Sequence, residues 1–179
     1  MQHFYEETHG SGWESNQGWK VYGPVGDPCT DAGHYSGVGC KHPCDEAIEG
    51  ANCQLGRITR LALEGNSLSG TLPPSLSTLD MLTELDLSRN RLSGTLPTEL
   101  GLLRKLVRFN LRDNWISGTI PTELGNLGSY LWLGTTKFDV MAGGLEESYA
   151  TRPSEVSEPL IEVRLGHNQL SGAMPTQLG

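Results

Sequence analysis

A stretch of 24 residues, Leu82 to Lys105 (LTELDLSRNRLSGTLPTELGLLRK), recurs along the chain. Ile58 to Met81 reads ITRLALEGNSLSGTLPPSLSTLDM, and Leu106 to Ser129 reads LVRFNLRDNWISGTIPTELGNLGS. A fourth copy from Leu160, LIEVRLGHNQLSGAMPTQLG, runs to Gly179. A fixed period of this length is the mark of a solenoid, in which each unit buries its apolar edge only against its neighbours.

Within one unit the pattern has a direct physical reading. Leu82, Leu85 and Leu87 form an L-x-x-L-x-L run whose second half alternates like a short half-buried strand. Asn90 follows, and the same position holds Asn66, Asn114 and Asn168. Asparagines stacked in one column beside apolar neighbours predict a buried ladder that satisfies the turn leaving each strand. Ser93-Gly94 predicts a tight bend. Leu96-Pro97 predicts a second short extended segment, which the missing N–H of Pro97 keeps from growing. Leu100 and Leu103 are expected to point inward on the outer side of the coil.

These positions resemble the plant-specific class of leucine-rich repeats, whose unit reads L-x-x-L-x-L-x-x-N-x-L-S-G-x-I-P-x-x-L-G. The resemblance covers Ile58–Ser129 and Leu160–Gly179, about half of the chain. It implies an α/β solenoid: a right-handed superhelix with a parallel sheet on its concave face and a second, shorter sheet from the Ser-Gly-Thr-Leu-Pro segments.

All four cysteines precede the repeats: Cys29, Cys40, Cys44 and Cys53. An even number clustered before an array reads as a disulfide-stapled cap in an oxidising, extracellular or lumenal compartment. Three pairings are possible, and closure of short local loops favours Cys29–Cys40 with Cys44–Cys53. A metal site is the alternative, since His42 and His34 lie among these cysteines, but the spacing fits no common zinc signature. Trp13, Trp19, Asp27, Pro28, Cys29, Gly37, Val38 and Cys40 match the N-terminal cap of plant-type repeats, with Tyr35 where that cap usually has Trp. The cap's expected job is to cover the first repeat's apolar face and strand edge, with the tryptophans as its core. Met1–Thr8 reads as the end of a helix that Gly10-Ser11-Gly12 breaks.

The expected organisation is therefore a cap over residues 1–57, three regular repeats over 58–129, an irregular repeat over 130–159 and a further, truncated repeat over 160–179. The irregular part reads either as a degenerate repeat with a solvated insertion or as a loop that leaves the solenoid to meet a partner. Its first residues, Tyr130–Leu133, are expected to keep a strand. With no cap motif after Gly179, Leu165, Leu170, Met174 and Leu178 are expected to face an open end, and the sequence reads as part of a longer array.

Net charge is −8, of which residues 1–56 carry −6: eight acidic residues against Lys20 and Lys41. No basic stripe or long apolar run is present, so neither nucleic acid nor direct membrane insertion is expected. The first residues, Met1-Gln2-His3 running into Phe4-Tyr5-Glu6-Glu7, have no long apolar core, so a signal peptide is not expected in them.

The candidate binding residues lie on the strands and the turns that follow them. One column runs Arg60, Glu84, Arg108, Glu162; the next runs Ala62, Asp86, Asn110, Arg164. Arg112 and His167 join them from the following turns. Opposite charges at about 4.8 Å spacing are expected to pair along the first column. Catalysis, cofactors and metals are not expected: His167 is the only histidine of the array, and arginines flank the Glu84 and Asp86 carboxylates, which opposes general-acid use. The best reading is a non-catalytic module that binds a protein or peptide. By resemblance it is a receptor-like ectodomain or an inhibitor of a secreted hydrolase. The alternative is an accessory subunit docked through the C-terminal end and residues 130–159. The threonine columns Thr71, Thr95, Thr119 and Thr98, Thr122, Thr176 leave a minor ice-binding reading.

Overall fold

The computed structural model describes residues 2–15, 38–41, 57–127, 131–133, 161–173 and 175. Cys29, Cys44, Cys53, Trp19 and residues 134–160 lie outside these, so the disulfide pairing does too. Cys40 is described by its backbone alone.

Each repeat contributes one strand to a main sheet. β1 (Val38–Lys41) runs antiparallel to β2 (Arg57–Ala62). Beyond it β4 (Glu84–Asp86), β6 (Arg108–Asn110), β9 (Ile161–Arg164) and β8 (Leu131–Leu133) follow in that order, all parallel. Two shorter parallel pairs form a second face: β3 (Ser69–Thr71) with β5 (Arg91–Ser93), and β7 (Ser117–Gly118) with β10 (Gln169–Leu170). Short 3-10 helices at Pro74–Thr78, Thr98–Leu102 and Thr122–Leu127 close the outer side.

The leucine pattern accounts for this coil. Leu61, Leu85 and Phe109 stand opposite one another in register and are fully buried, with Val163 next in line. Leu87, Leu92, Leu100 and Leu103 complete the same buried column system, so the core is one continuous stack.

The strands leave the sheet through a left-handed residue. Gly65, Arg89, Asp113 and His167 occupy one repeat position and all have φ between 55° and 58°. That conformation turns the chain while keeping the ladder going: Arg89 N–H donates to Arg112 O at 2.9 Å and Asp113 N–H to Gly166 O at 3.0 Å. The asparagine one residue on then fills the turn. Asn90 Nδ2 donates to the carbonyls of Leu63, Leu87 and Ser88 at 2.8–3.0 Å. Its Oδ1 accepts the Asn66 and Leu68 N–H groups, both at 3.0 Å. Asn114 and Asn168 repeat the arrangement one and two rungs further along.

Asn66 starts the ladder and holds the N-terminal segment. Its amide bonds the Ser15 backbone in both directions, at 2.6 and 2.9 Å. That segment opens with the helix α1 (Gln2–Glu7), whose Phe4 packs edge-on to buried Trp13, and Trp13 Nε1 donates to Thr8 O at 2.9 Å. Ser69 N–H donates to Thr8 O, so the segment covers the edge of the second face while β1 covers the edge of the main sheet. Gly70, at φ +92°, has no room for a side chain because the Glu7 carbonyl sits against it.

The strand order departs from the chain order at one point: β9 lies directly on β6, and Leu131–Leu133 pairs with the outer edge of β9. The ladder explains the choice. Asn168 supplies the next rung, its Oδ1 accepting the Ile116 N–H at 3.0 Å, whereas no asparagine occurs between Leu131 and Leu160. The expected exposure at the end of the array fails for Leu165, which is buried, while Leu170 is half-buried. Met174 and Leu178 lie outside the described residues.

Candidate functional site on the main sheet

The solvent face of the main sheet gathers side chains from β2, β4, β6 and β9, because alternate strand residues point away from the leucine stack. The strand register places Arg60, Glu84, Arg108 and Glu162 in one row, and Ala62, Asp86, Asn110 and Arg164 in the next. A hollow of about 280 Å³ opens over β4, β6 and β9, between the Glu84, Arg108 and Glu162 part of the first row and the Asp86, Asn110 and Arg164 part of the second, with Leu85 and Phe109 in its wall.

The charges pair unevenly. Glu84 Oε2 takes Arg60 Nε at 3.1 Å from one side and Arg108 Nη2 at 2.8 Å from the other. The row's last expected pair, Arg108 with Glu162, is not made. Glu162 pairs with Arg164 two residues along its own strand. Both face the same side of β9, and the in-strand neighbour satisfies the carboxylate first.

The second row is a hydrogen-bonded network. Asp86 Oδ1 accepts from Ser88 N at 3.0 Å and Ser88 Oγ at 2.6 Å, and Asp86 Oδ2 accepts from Asn110 Nδ2 at 3.1 Å. Asn110 Oδ1 accepts the Arg112 N–H at 3.2 Å. In the turn beyond, His167 Nδ1 meets Asp113 Oδ1, Arg112 Nε lies 3.5 Å from Asp113 Oδ2, and Arg89 Nη1 lies 3.1 Å from Glu64 Oε1.

Depth separates the two signs. The side chains of Arg60, Arg108 and Arg164 are 57%, 61% and 50% exposed, against 17% for Glu84 and 24% for Glu162. The carboxylates lie beneath the guanidinium groups, so what meets solvent is a line of arginines on a chain of net charge −8.

Sequence reasoning placed these rows but missed two things. Ser88 is buried and ties Asp86 to Asn110. Trp115 is 56% exposed beside the second face, where the other repeats have Ser67, Arg91 and Gln169. A tryptophan replacing polar residues at one repeat position was the available signal. Among the described residues no group of three or more His, Cys, Asp or Glu side chains could hold a metal ion. None of their helices is long and apolar enough to cross a membrane.

Comparison with known proteins agrees with this architecture. The Leucine Rich Repeat family profile matches residues 57–79, 81–103 and 105–127. No curated protein matches the sequence significantly. Among solved structures, the leucine-rich-repeat ectodomain of the receptor kinase SOBIR1 from Arabidopsis thaliana is similar, with TM-score 0.56 and 23% identity over 94% of this chain and 65% of that one. A PEPR1–AtPEP1 structure is similar with TM-score 0.59 and 21% identity, over 97% of this chain and 19% of that one. The BIR2 ectodomain from Arabidopsis thaliana gives TM-score 0.52 and 19% identity, over 99% of this chain and 85% of that one. The chain thus spans less than two thirds of the first two. Residues 57–79, 81–103 and 105–127 are leucine-rich repeats, and the described residues form a leucine-rich-repeat solenoid with a fold similar to that of the SOBIR1 ectodomain.

Proposed function

We propose that this chain is a non-catalytic recognition module whose main-sheet face binds a protein or peptide partner. The observation that carries the reading is the row Arg60–Glu84–Arg108. Charged side chains from three repeats are held in ion pairs on a sheet whose strands are fixed by a buried ladder, and two of them, Glu84 and Arg108, line the hollow. A rigid scaffold presenting ordered arginines loses little entropy on binding, and arginine is enriched among residues that dominate interfaces. The similar PEPR1–AtPEP1 structure supports the fold side of this reading.

The module belongs in an oxidising compartment, with Cys29, Cys40, Cys44 and Cys53 closed into two disulfides. Thiol titration of the unfolded, unreduced chain then finds no free thiol; four free thiols would overturn the assignment.

The binding test compares two variants for capture of the same partner. Arg108→Ala with Arg112→Ala is expected to abolish capture with the melting temperature nearly unchanged, since both side chains are at the surface. Arg91→Ala with Trp115→Ala, on the second face, is expected to leave capture intact. The reverse pattern would move the binding surface off the main sheet.

A further inference from the structure

We propose that the partner segment is acidic and extended, and that Glu84 acts as the positioning residue of a two-arginine clamp that reads its carboxylates. This rests on the reading above and adds the partner's chemistry. Three observations lead to it.

The first is which hydrogen-bonding capacity the face has left. Asp86 spends both oxygens on Ser88 and Asn110, and Asn110 spends its carbonyl on Arg112. Glu162 is taken by Arg164. A guanidinium carries five N–H donors in a fixed fork. Arg60 contributes only Nε and Arg108 only Nη2 to their ion pairs among the described residues. Glu84 and Glu162 each use only one oxygen in these pairs, but both carboxylates are recessed, so the unspent groups that stand outermost are the charged arginine donors.

The second is depth. The arginines are more than half exposed while Glu84 is 17% exposed beneath them. An approaching segment meets the cations first, and a carboxylate is the complement that the fork geometry fits.

The third is placement. Arg60 on β2 and Arg108 on β6 stand on either side of β4, so their Cα atoms are roughly 10 Å apart. One Glu84 oxygen holds both guanidinium groups, at 3.1 and 2.8 Å, so their donors converge over β4 while their stems rise from the strands on either side. Acidic side chains spaced along an extended segment crossing the strands meet the N–H groups that Glu84 leaves on each. The chain as a whole, at −8, disfavours the same segment away from this face.

The test uses the full chain and a fluorescein-labelled peptide of alternating Glu and Ser, with a Lys and Ser peptide as control, followed by fluorescence anisotropy at rising salt. The Glu–Ser peptide is expected to bind and to weaken as salt rises, and the Lys–Ser peptide not to bind. Arg108→Ala is expected to lower affinity at least about tenfold. Arg108→Lys keeps the charge but not the fork and is expected to weaken binding several-fold, whereas Arg91→Ala changes nothing.

Glu84→Gln decides the positioning role by the sign of its effect. It removes a negative charge, so a diffuse cationic surface would bind the acidic peptide more tightly. A clamp that Glu84 orders binds it more weakly. Tighter binding by Glu84→Gln, wild-type binding by Arg108→Lys, or no preference for Glu–Ser over Lys–Ser each overturns the proposal. Loss of the natural partner in Arg108→Ala with Arg112→Ala, without any binding of Glu–Ser, would sink the clamp and leave the main-sheet reading standing.

Discussion

Asn90 shows how much one side chain does in this fold. Its amide serves five backbone groups drawn from two repeats. Asn90→Ala removes the partner of the Asn66 and Leu68 N–H groups and of the Leu63 carbonyl, at about 1–3 kcal/mol for each that water cannot reach, while Leu87 O keeps Asn114 and Ser88 O keeps the Gly65 N–H. The expected loss is at least about 3 kcal/mol in urea denaturation, and a loss below about 1 kcal/mol would mean that water enters the turn. Asn168→Ala is expected to cost less, since that side chain is only half-buried. The ladder was legible in the sequence because a fixed period puts equivalent atoms side by side. The ion pairs were legible only in part. The Arg60–Glu84–Arg108 row follows from alternating signs in one column, but Glu162 had two arginines within reach. Its choice of Arg164 depends on side-chain paths that periodicity does not encode.

At the scale of the repeat, the tight spot is the Ser-Gly bend. Gly94 has φ +76°, and a Cβ there would lie 2.9 Å from the Thr71 methyl carbon of the preceding repeat. Gly118 and Gly172 meet Thr95 and Thr119 in the same way. Gly94→Ala therefore combines left-handed strain with a clash and is expected to cost about 1–3 kcal/mol. Pairing it with Thr71→Ser, which removes the methyl, recovers part of that loss; no recovery would show that backbone strain alone is responsible. Leu85→Ala, fully buried between Leu61 and Phe109, is expected to cost about 2–5 kcal/mol by chemical denaturation. The strand order β6-β9-β8 was not legible, because a broken period says which rung is missing but not where the chain goes instead.

For the whole molecule, stability is a sum over neighbouring repeats, so the ends matter as much as the middle. The N-terminal segment closes one end through the Asn66–Ser15 pair, the Ser69–Thr8 bond and the Phe4–Trp13 packing. Removing residues 1–15 uncovers this end and is expected to turn a monomer into a self-associating species by size-exclusion chromatography with light scattering. A monomer of unchanged stability would mean that residues 38–41 suffice to close the sheet. The main-sheet face is likewise a property of the assembled coil: arginines outermost, carboxylates recessed, on a chain otherwise acidic.

The most direct measurement of that claim is arginine-directed covalent footprinting, read by mass spectrometry, with and without the captured partner. Arg60, Arg108 and Arg164 lie on the main-sheet face, while Arg91 and Arg104 are exposed elsewhere on the coil. Recognition by the main-sheet face predicts that the first three lose reactivity on binding and that Arg91 and Arg104 keep theirs. Protection of Arg91 or Arg104 with the main-sheet arginines still reactive would contradict it.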